Sequence, residues 1–276
     1  MDQLWFYEKH TRGYGVHWKV KKVLHTEKTR FQELSVIDTV EWGKTLVLDG
    51  NIQVTERDEF IYHEMIAHIA MNSHPHPQKI LIIGGGDGGT AREVLKHDSV
   101  QVVDLVEIDE RVVENSKIYL PTMACAFNDS RLKLHIEDGI KFVQDTSQSY
   151  DLVIVDSSDP IGPAVELYSS RFYQDVYQCL RQDGMIAVQS ESPVFYQDIF
   201  VKVFQNLSSV FPVVKVCLAP IMTYTAGPWS FTLGSKKRDP ARIADDKKVI
   251  DGLKYYNGDL HRSAFILPQF IKDMLR

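Results

Sequence analysis

Two segments of the chain carry residue types that could do chemistry. In residues 156–164, Asp156 and Asp159 lie three positions apart after the apolar run Val153-Ile154-Val155, and a rigid Pro-Ile-Gly-Pro turn follows them. Residues 84–89 form a glycine-rich turn after another apolar run. We expect both segments at the carboxyl edge of one sheet, where their acids would favour a cationic substrate. A metal site and solvated surface acids are the alternatives.

The glycine-rich turn indicates a nucleoside-containing ligand. Such a turn between a strand and a helix lets the backbone approach a ligand closely, and Glu107 ends the next predicted strand, where a carboxylate can accept from both ribose hydroxyls. Asp87, inside the turn, would repel a pyrophosphate or the carboxylate of intact S-adenosylmethionine, so a cationic tail without a carboxylate fits best. The alternatives are a turn that needs glycine only for its shape, and an Asp87 that is solvated or caps a helix.

Asp138 and Gly139 follow the third predicted strand of this series. Asp138 could accept the exocyclic amine of adenine, with Gly139 leaving room for the ring. Equally, Asp138 could cap the helix that begins near Ile140. The residues alone leave both interpretations open.

The elements that must position these residues form an alternating pattern. Short apolar runs predict buried parallel strands, and the segments between them predict helices, so the chain is expected to be α/β with a doubly wound, mostly parallel, Rossmann-like sheet of the methyltransferase type. The predicted strands are 79–83, 100–106, 132–136, 152–155 and 185–189, and the predicted helices are 59–71, 90–97, 110–120, 140–145 and 170–181. Residues 213–217 and 229–234 are expected to end the sheet as an antiparallel pair, and the stretch after residue 236 to become helical.

The first part of the chain predicts a small β domain. Residues 16–23, 31–40 and 45–55 are candidate strands, with a hairpin turn at Asp49-Gly50, because Asp-Gly tolerates positive φ angles. We therefore predict an N-terminal β-strand domain over 1–58 and a catalytic domain over 59–276.

Composition narrows the classes of function. The chain has 276 residues and a net charge of −6, which disfavours nucleic-acid and anionic-membrane surfaces. The cysteines Cys125, Cys179 and Cys217 are far apart and form no CxxC pair, so a disulfide framework or zinc site is not expected. Charges near the N-terminus argue against a signal peptide, and no apolar run approaches a membrane span. We expect a cytoplasmic protein that binds neither nucleic acid nor membrane.

Taken together, the motifs resemble those of the spermidine synthases. The resemblance rests on residues 84–89 and 156–164, on Tyr62-His63-Glu64-Met65, and on Thr223-Tyr224 before Gly227 and Trp229, and it extends from Leu4 to Phe270. Ordinary methyltransferases share the glycine turn but not the acidic segment. The resemblance implies transfer of an aminopropyl group from decarboxylated S-adenosylmethionine to putrescine, giving spermidine and methylthioadenosine. It also implies a homodimer or homotetramer.

Roles for individual residues follow from the same resemblance. Asp156 resembles the catalytic base, Asp159 the acid that binds the far amine of the diamine, and Asp87 the residue that holds the aminopropyl amine. The implied nucleoside contacts are Gln32, Glu107, Asp138, Gly139 and Pro163, and the implied polyamine contacts are Tyr62, His63, Ser157, Ser158 and Tyr224. No metal or cofactor is expected, because the donor is a co-substrate whose sulfonium is already an activated leaving group.

One departure from the family bears on the acceptor. The family often reads Tyr-Pro-Ser-Gly where this chain has Tyr224-Thr225-Ala226-Gly227. Agmatine, cadaverine and spermidine are therefore alternatives to putrescine as the acceptor. Two further functions are compatible with the sequence: a methyltransferase that uses intact S-adenosylmethionine, and a polyamine-binding protein without chemistry.

Overall fold

The computed structural model describes residues 4–158, 162–225, 227–245, 247 and 249–276. In this part of the chain the strands form two sheets, one of five strands and one of seven. The five-stranded sheet is an antiparallel meander in the order β1-β2-β3-β4-β5. Its strands are β1 (Leu4–Lys9), β2 (Gly15–Lys28), β3 (Glu33–Thr39), β4 (Gly43–Leu48) and β5 (Asn51–Thr55).

The hairpin between β4 and β5 confirms the predicted Asp-Gly turn. Asp49 and Gly50 have φ angles of 48° and 80°, as a tight hairpin turn needs. The predicted strands are present, but β1 was not predicted. Leu4 and Trp5 in β1 are 48% and 50% exposed, so the strand lacks the buried alternation that identifies a strand in a sequence.

The seven-stranded sheet confirms the predicted Rossmann-like fold. Its strand order is β11-β12-β10-β9-β6-β7-β8, with β6 to β10 parallel to their neighbours in this group and β12 antiparallel to both β10 and β11. The strands are β6 (Lys79–Gly84), β7 (Val102–Glu107), β8 (Leu132–Ile136), β9 (Tyr150–Asp156), β10 (Leu180–Gln189), β11 (Val213–Ala219) and β12 (Trp229–Ser235). The antiparallel pair expected at the end of the sheet is β11 and β12.

Helices cover both faces of this sheet. In the described residues they are α1 (Glu59–Ser73), α2 (Gly89–Leu95), α3 (Glu110–Tyr119), α4 (Pro121–Ala124), α5 (Gly139–Asp145), α6 (Ser170–Cys179), α7 (Gln197–Ser208), α8 (Gly258–Ser263) and α9 (Gln269–Met274), with 3₁₀ helices at Cys125–Asn128 and Gly162–Tyr168. The predicted helices are present with ends shifted by a few residues. Helix α7 was not predicted, although Phe200, Val203 and Leu207 are buried at helical spacing. None of the helices described is both long and apolar enough to cross a membrane.

The core lies on both faces of the parallel strands. Ile80, Ile82 and Ile154 point into the cluster that contains α1, whereas Leu81 and Val153 point into the cluster that contains α6. This alternation explains the continuous apolar runs in the sequence, because each strand is buried on both sides.

Helix α1 lies in this core and is tied to the end of the chain. All of its residues except Phe60 are buried. The carboxylate of Glu64 accepts backbone N–H groups from Lys254, Tyr255 and Tyr256 at 2.9, 2.8 and 2.8 Å. A buried carboxylate needs such donors to offset its lost hydration, so the C-terminal segment completes the surroundings of α1. The division of the chain at residues 58 and 59 stays a prediction.

Candidate active site

A cavity of about 260 Å³ opens beyond the carboxyl ends of β6, β7 and β9, where the two sheets and α1 meet. Parallel sheets bind ligands at this edge. The predicted site residues that line this cavity are Gln32, Tyr62, His63, Asp87, Glu107, Asp138, Gly139, Asp156, Ser157, Ser158 and Tyr224. Residues that are distant in the sequence are thus brought together around one space, and their roles remain predictions.

Two of the predicted site residues are not placed at the cavity. Asp159 lies outside the described residues. Pro163 belongs to the 3₁₀ helix Gly162–Tyr168, but its side chain is outside the described structure. In the substrate loop, Ala226 is also outside the described residues.

The glycine turn brings two strand ends close to the cavity. Gly84 has a φ of +81°, and a Cβ there would lie 2.2 Å from the carbonyl oxygen of Asp156. A Cβ at Gly86 would lie 2.8 Å from Oε2 of Glu107. Glycine is therefore required at Gly84 because the backbone at the end of β9 lies against the turn, and at Gly86 because the Glu107 side chain at the end of β7 does.

Glu107 is a buried carboxylate at the end of β7. Its Oε1 accepts the backbone N–H of Asp109 at 2.9 Å. Burial, assisted by the negative charge of Asp109, raises the pKa of Glu107 to about 7 against backbone hydrogen bonds that lower it. Asp109 in turn accepts from the Gln32 amide at 2.9 Å and from the Thr29 hydroxyl at 2.7 Å. This contact places Gln32, from the N-terminal sheet, beside the predicted nucleoside end.

Asp138 caps α5, so one of the two sequence interpretations is seen directly. Its Oδ1 accepts the backbone N–H of Ile140 at 2.8 Å. The side chain is exposed and also lines the cavity. A Cβ at Gly139 would lie 2.5 Å from Ile83, so that glycine serves the packing of α5 on β6. Contact with an adenine ring stays a prediction.

Asp156 projects into the cavity from the end of β9. Its Oδ1 accepts the hydroxyl of Tyr62 at 2.6 Å, and its Oδ2 accepts the hydroxyl of Thr90 at 2.7 Å. Burial and the neighbouring negative charge of Asp87 raise the pKa of Asp156. A carboxylate with a raised pKa is a stronger base, which suits proton transfer at neutral pH. The contact with Thr90 was not predicted from the sequence.

A second carboxylate that lines the cavity, Asp87, lies in the glycine turn. Its Oδ1 accepts the backbone N–H of Gly89 at 2.7 Å and lies 3.5 Å from Nε2 of His63. Burial would raise the pKa of Asp87, but the charge of His63 and the Gly89 hydrogen bond lower it. Of these two neighbouring carboxylates, Asp87 therefore has a lowered pKa and Asp156 a raised one.

Aromatic side chains form the wall beyond Asp156. The ring of Tyr62 contacts those of Tyr224 and Phe231 at centroid distances of 5.9 and 5.2 Å, and Tyr224 contacts Trp229 at 4.6 Å. The hydroxyl of Tyr224 donates to the carbonyl of Gln53 in β5. We call the space beside Tyr62, Tyr224 and Trp229 the aromatic passage.

Tyr168 and Gln189 hold the segment that follows Asp156. The hydroxyl of Ser157 is 3.1 Å from that of Tyr168, which donates to the carbonyl of Ser158 at 3.3 Å. The amide of Gln189 donates to the Ser157 carbonyl at 3.1 Å. Both serines therefore have partners within the protein.

A smaller cavity of about 50 Å³ shares Tyr62, Ser157 and Tyr224 with the first. Its wall includes Glu8, which is 3% exposed and accepts from the indole of Trp18 at 3.0 Å and from the Ile52 N–H at 2.8 Å. Sequence reasoning missed Glu8 because β1 was not recognised as a strand. Glu8 is thus a further buried acid near the aromatic passage.

In the part of the chain that the structure describes, no group of three or more His, Cys, Asp or Glu side chains is arranged to hold a metal ion. The expectation that the enzyme uses no metal stays a prediction. The carboxylates of the main cavity are instead held by hydroxyls, backbone N–H groups and His63.

Comparisons with known proteins give a consistent result. Residues 59–247 match the family model of the spermine/spermidine synthase domain, and residues 4–56 match that of the spermidine synthase tetramerisation domain. A polyamine aminopropyltransferase of Desulforudis audaxviator is 48% identical over 273 residues, which are 99% of each chain. One of Caldicellulosiruptor saccharolyticus is 48% identical over 274 residues, covering 99% of this chain and 98% of the relative.

Solved structures agree with these relatives. A spermidine synthase in complex with the transition-state analogue AdoDATO is 38% identical and superposes with a TM-score of 0.95, over 100% of this chain and 96% of the other. The spermidine synthase of Thermotoga maritima is also 38% identical, with a TM-score of 0.93 over 100% and 95%. The resemblance found in the sequence is confirmed, and the chain is an enzyme that belongs to the spermine/spermidine synthase family of polyamine aminopropyltransferases.

Proposed function

We propose that this enzyme is a spermidine synthase that transfers the aminopropyl group of decarboxylated S-adenosylmethionine to putrescine, with Asp156 as the general base. The observation that carries the proposal is the pair of carboxylates, Asp156 and Asp87, at one cavity with different electrostatic surroundings. The ionised Asp87 suits a fixed ammonium group of the donor. Asp156, with its raised pKa, suits a group that must take up a proton.

The acceptor amine is the difficult reactant. An alkylammonium group has a pKa of roughly 10, so about one molecule in a thousand is a free amine at pH 7, and deprotonation costs about 4 kcal/mol. Asp156 receives this proton as the nitrogen attacks the carbon next to sulfur. The new C–N bond forms, the C–S bond breaks, and its electron pair returns to sulfur to give neutral methylthioadenosine. Holding the reactants in line supplies much of the remaining rate.

Further side chains of the cavity support this assignment. Tyr62 and Thr90 donate to the two oxygens of Asp156, so the orientation of this carboxylate is fixed. Glu107 would accept from the ribose hydroxyls and Asp87 from the donor amine. Glu8, buried beyond the passage, is a further acid toward which the second ammonium of a diamine would point. The reaction needs no metal or redox cofactor, because the donor brings its own leaving group.

We also propose a homo-oligomer, dimer or tetramer, built through the N-terminal sheet. Support comes from the match of residues 4–56 to a tetramerisation domain and from the exposure of Trp5 and Tyr7 on β1 at 50% and 52%. The three cysteines are free thiols, and Cys179 and Cys217 are buried. Free thiols are consistent with a reducing compartment such as the cytoplasm.

The experiment that tests the function uses the purified chain, decarboxylated S-adenosylmethionine and an equimolar mixture of putrescine, cadaverine, agmatine and spermidine. Mass spectrometry identifies the product, and we expect spermidine with one methylthioadenosine per turnover. If another aminopropylated amine is the main product, the aminopropyl transfer is supported but the acceptor is not putrescine. Folded protein that forms no methylthioadenosine with any amine would refute the proposal.

The base is tested separately with Asp156→Asn. We expect kcat to fall by about 10²–10⁴ while the Kd for methylthioadenosine stays within about twofold, because the nucleoside end is unchanged. Asp145→Asn is the matched control, since it makes the same change at an exposed residue at the end of α5. A kcat of Asp156→Asn close to that of the control would remove Asp156 from this role.

A further inference from the structure

A chain of alternating charges runs from the cavity into the interface between α1 and α2. Asp87 lies 3.5 Å from Nε2 of His63, and Nδ1 of the same ring is 2.6 Å from Oε2 of Glu59, one turn earlier in α1. Arg92 of α2 then donates to both oxygens of Glu59, from Nη1 at 3.0 Å and from Nη2 at 2.8 Å. Negative and positive groups therefore alternate over four side chains.

The alternation of charges matters because these side chains are buried. The residues His63 and Glu59 are 1% and 7% exposed. A buried charge is tolerated when it is paired and hydrogen-bonded. Burial alone would lower the pKa of His63, but Asp87 and Glu59 raise it well above its usual value. Burial would raise the pKa of Glu59, yet His63 and Arg92 lower it to about 2. Each member therefore keeps the next one ionised.

The geometry gives Asp87 a defined orientation. The Gly89 N–H and the His63 ring both approach Oδ1 of Asp87. With Oδ1 engaged by these described partners, Oδ2 is the oxygen left for a ligand in the cavity. A carboxylate that is fixed in this way loses little conformational freedom when it binds an ammonium group.

Gly89 supplies independent support for the importance of the ring. A Cβ at this position would lie 2.2 Å from Cε1 and 2.3 Å from Nδ1 of His63. The last glycine of the turn is thus required by the imidazole that packs against it. The motif serves the charge chain as well as the approach of a nucleoside.

We propose that Glu59 and Arg92 are positioning residues for the donor amine, which act through His63 to hold Asp87 with one oxygen turned into the cavity. The proposal rests on the proposed function, because it takes the donor to be decarboxylated S-adenosylmethionine. It predicts a selective effect. Loss of this row of charges should weaken the binding of the donor, which carries the aminopropyl ammonium. It should leave the binding of methylthioadenosine unchanged, because that ligand has the same nucleoside but no amine.

The test measures the Kd of both ligands by isothermal titration calorimetry, without acceptor. For Glu59→Gln we expect the donor to bind about 10- to 100-fold more weakly, the size typical of a charge-assisted hydrogen bond, and methylthioadenosine within about twofold. Arg92→Met is expected to act in the same direction. Arg92→Lys keeps the charge without the planar fork and is expected to lie between Arg92→Met and the wild type.

Asp151→Asn is the matched control. Asp151 is also a buried carboxylate paired with an arginine, Arg181 at 2.8 Å, but it lies near the start of β9 and does not line the cavity. Its loss is expected to affect stability without changing the ratio of the two Kd values. If Glu59→Gln does not fold, the two Arg92 variants decide the question by the same ratio.

The outcomes separate the two proposals. Wild-type enzyme is assayed first for an aminopropylated product, whose absence overturns the proposed function. If product forms and the variants bind donor as tightly as the wild type, only the positioning role falls. Equal weakening of both ligands also overturns it, because Glu59 and Arg92 would then support the cavity as a whole.

Discussion

Glu107→Gln is expected to stabilise the unliganded enzyme, and to do so more at high pH than at low pH. Burial raises the pKa of Glu107 from 4.5 to about 7, so the folded protein holds a proton on this group that the unfolded chain releases. Between these two values the folded state binds more protons, and its stability therefore falls as the pH rises. A glutamine has the shape of the protonated acid and does not ionise.

The expected magnitude follows from the two pKa values. In the wild type the ionisation of Glu107 lowers the free energy of unfolding by about 0.8 kcal/mol at pH 5 and by about 3.4 kcal/mol at pH 8, relative to low pH. The stability difference between Glu107→Gln and the wild type should therefore be about 2.5 kcal/mol larger at pH 8 than at pH 5. The amide oxygen of the glutamine can still accept the backbone N–H of Asp109.

The assay is urea unfolding of both proteins at pH 5 and pH 8, without ligand and at one protein concentration. Glu137→Gln, which removes a negative charge from an exposed side chain near the same edge of the sheet, is the control for net charge. A stability difference between Glu107→Gln and the wild type that is the same at both pH values would refute the reasoning. In the same variant we expect weaker binding of methylthioadenosine, because a charged acceptor for the ribose is lost.

Three further substitutions test individual contacts. Gly89→Ala should lower the free energy of unfolding by about 1–3 kcal/mol, because its Cβ would overlap the His63 ring, and should weaken donor binding, as unfolding and titration would show. Asp58→Ala should lower the free energy of unfolding by about 1–3 kcal/mol and raise the KM for the acceptor, because Asp58 accepts the N–H and hydroxyl of Thr223 beside the aromatic passage. Asp138→Ser keeps a capping oxygen for α5 and should change the free energy of unfolding by no more than about 0.5 kcal/mol, while weakening the binding of methylthioadenosine. Unchanged affinity for methylthioadenosine would indicate that Asp138 serves only as a helix cap.

Much of the catalytic half of the fold could be predicted because its physical causes are local in the sequence. Strands buried on both faces give continuous apolar runs, and the glycine turn follows such a run directly. The edge at which Glu107, Asp138 and Asp156 lie follows from the rule that parallel strands end together. The cap that Asp138 forms on α5 could also be considered from the sequence, because capping depends only on neighbouring residues.

The features that could not be predicted depend on distant contacts or on exposure. Glu59 and Arg92 are 33 positions apart, and nothing in either local sequence indicates that α1 and α2 place them in contact. Glu8 lies on an edge strand whose exposed side chains hide its alternation. Helix α1 is buried almost all round, so its sequence lacks the apolar stripe of a surface helix.

The three N–H groups that Glu64 accepts affect the order in which a newly made chain can become active. Helix α1 leaves the ribosome early, with Tyr62 and His63 beside Glu64, but the donors at residues 254–256 follow about 190 positions later. Until then the helix would have to bury a carboxylate without these donors, which is unfavourable by several kcal/mol. We therefore expect a chain that ends before residue 254 to hold α1, and the pocket beside it, less stably than the full chain does.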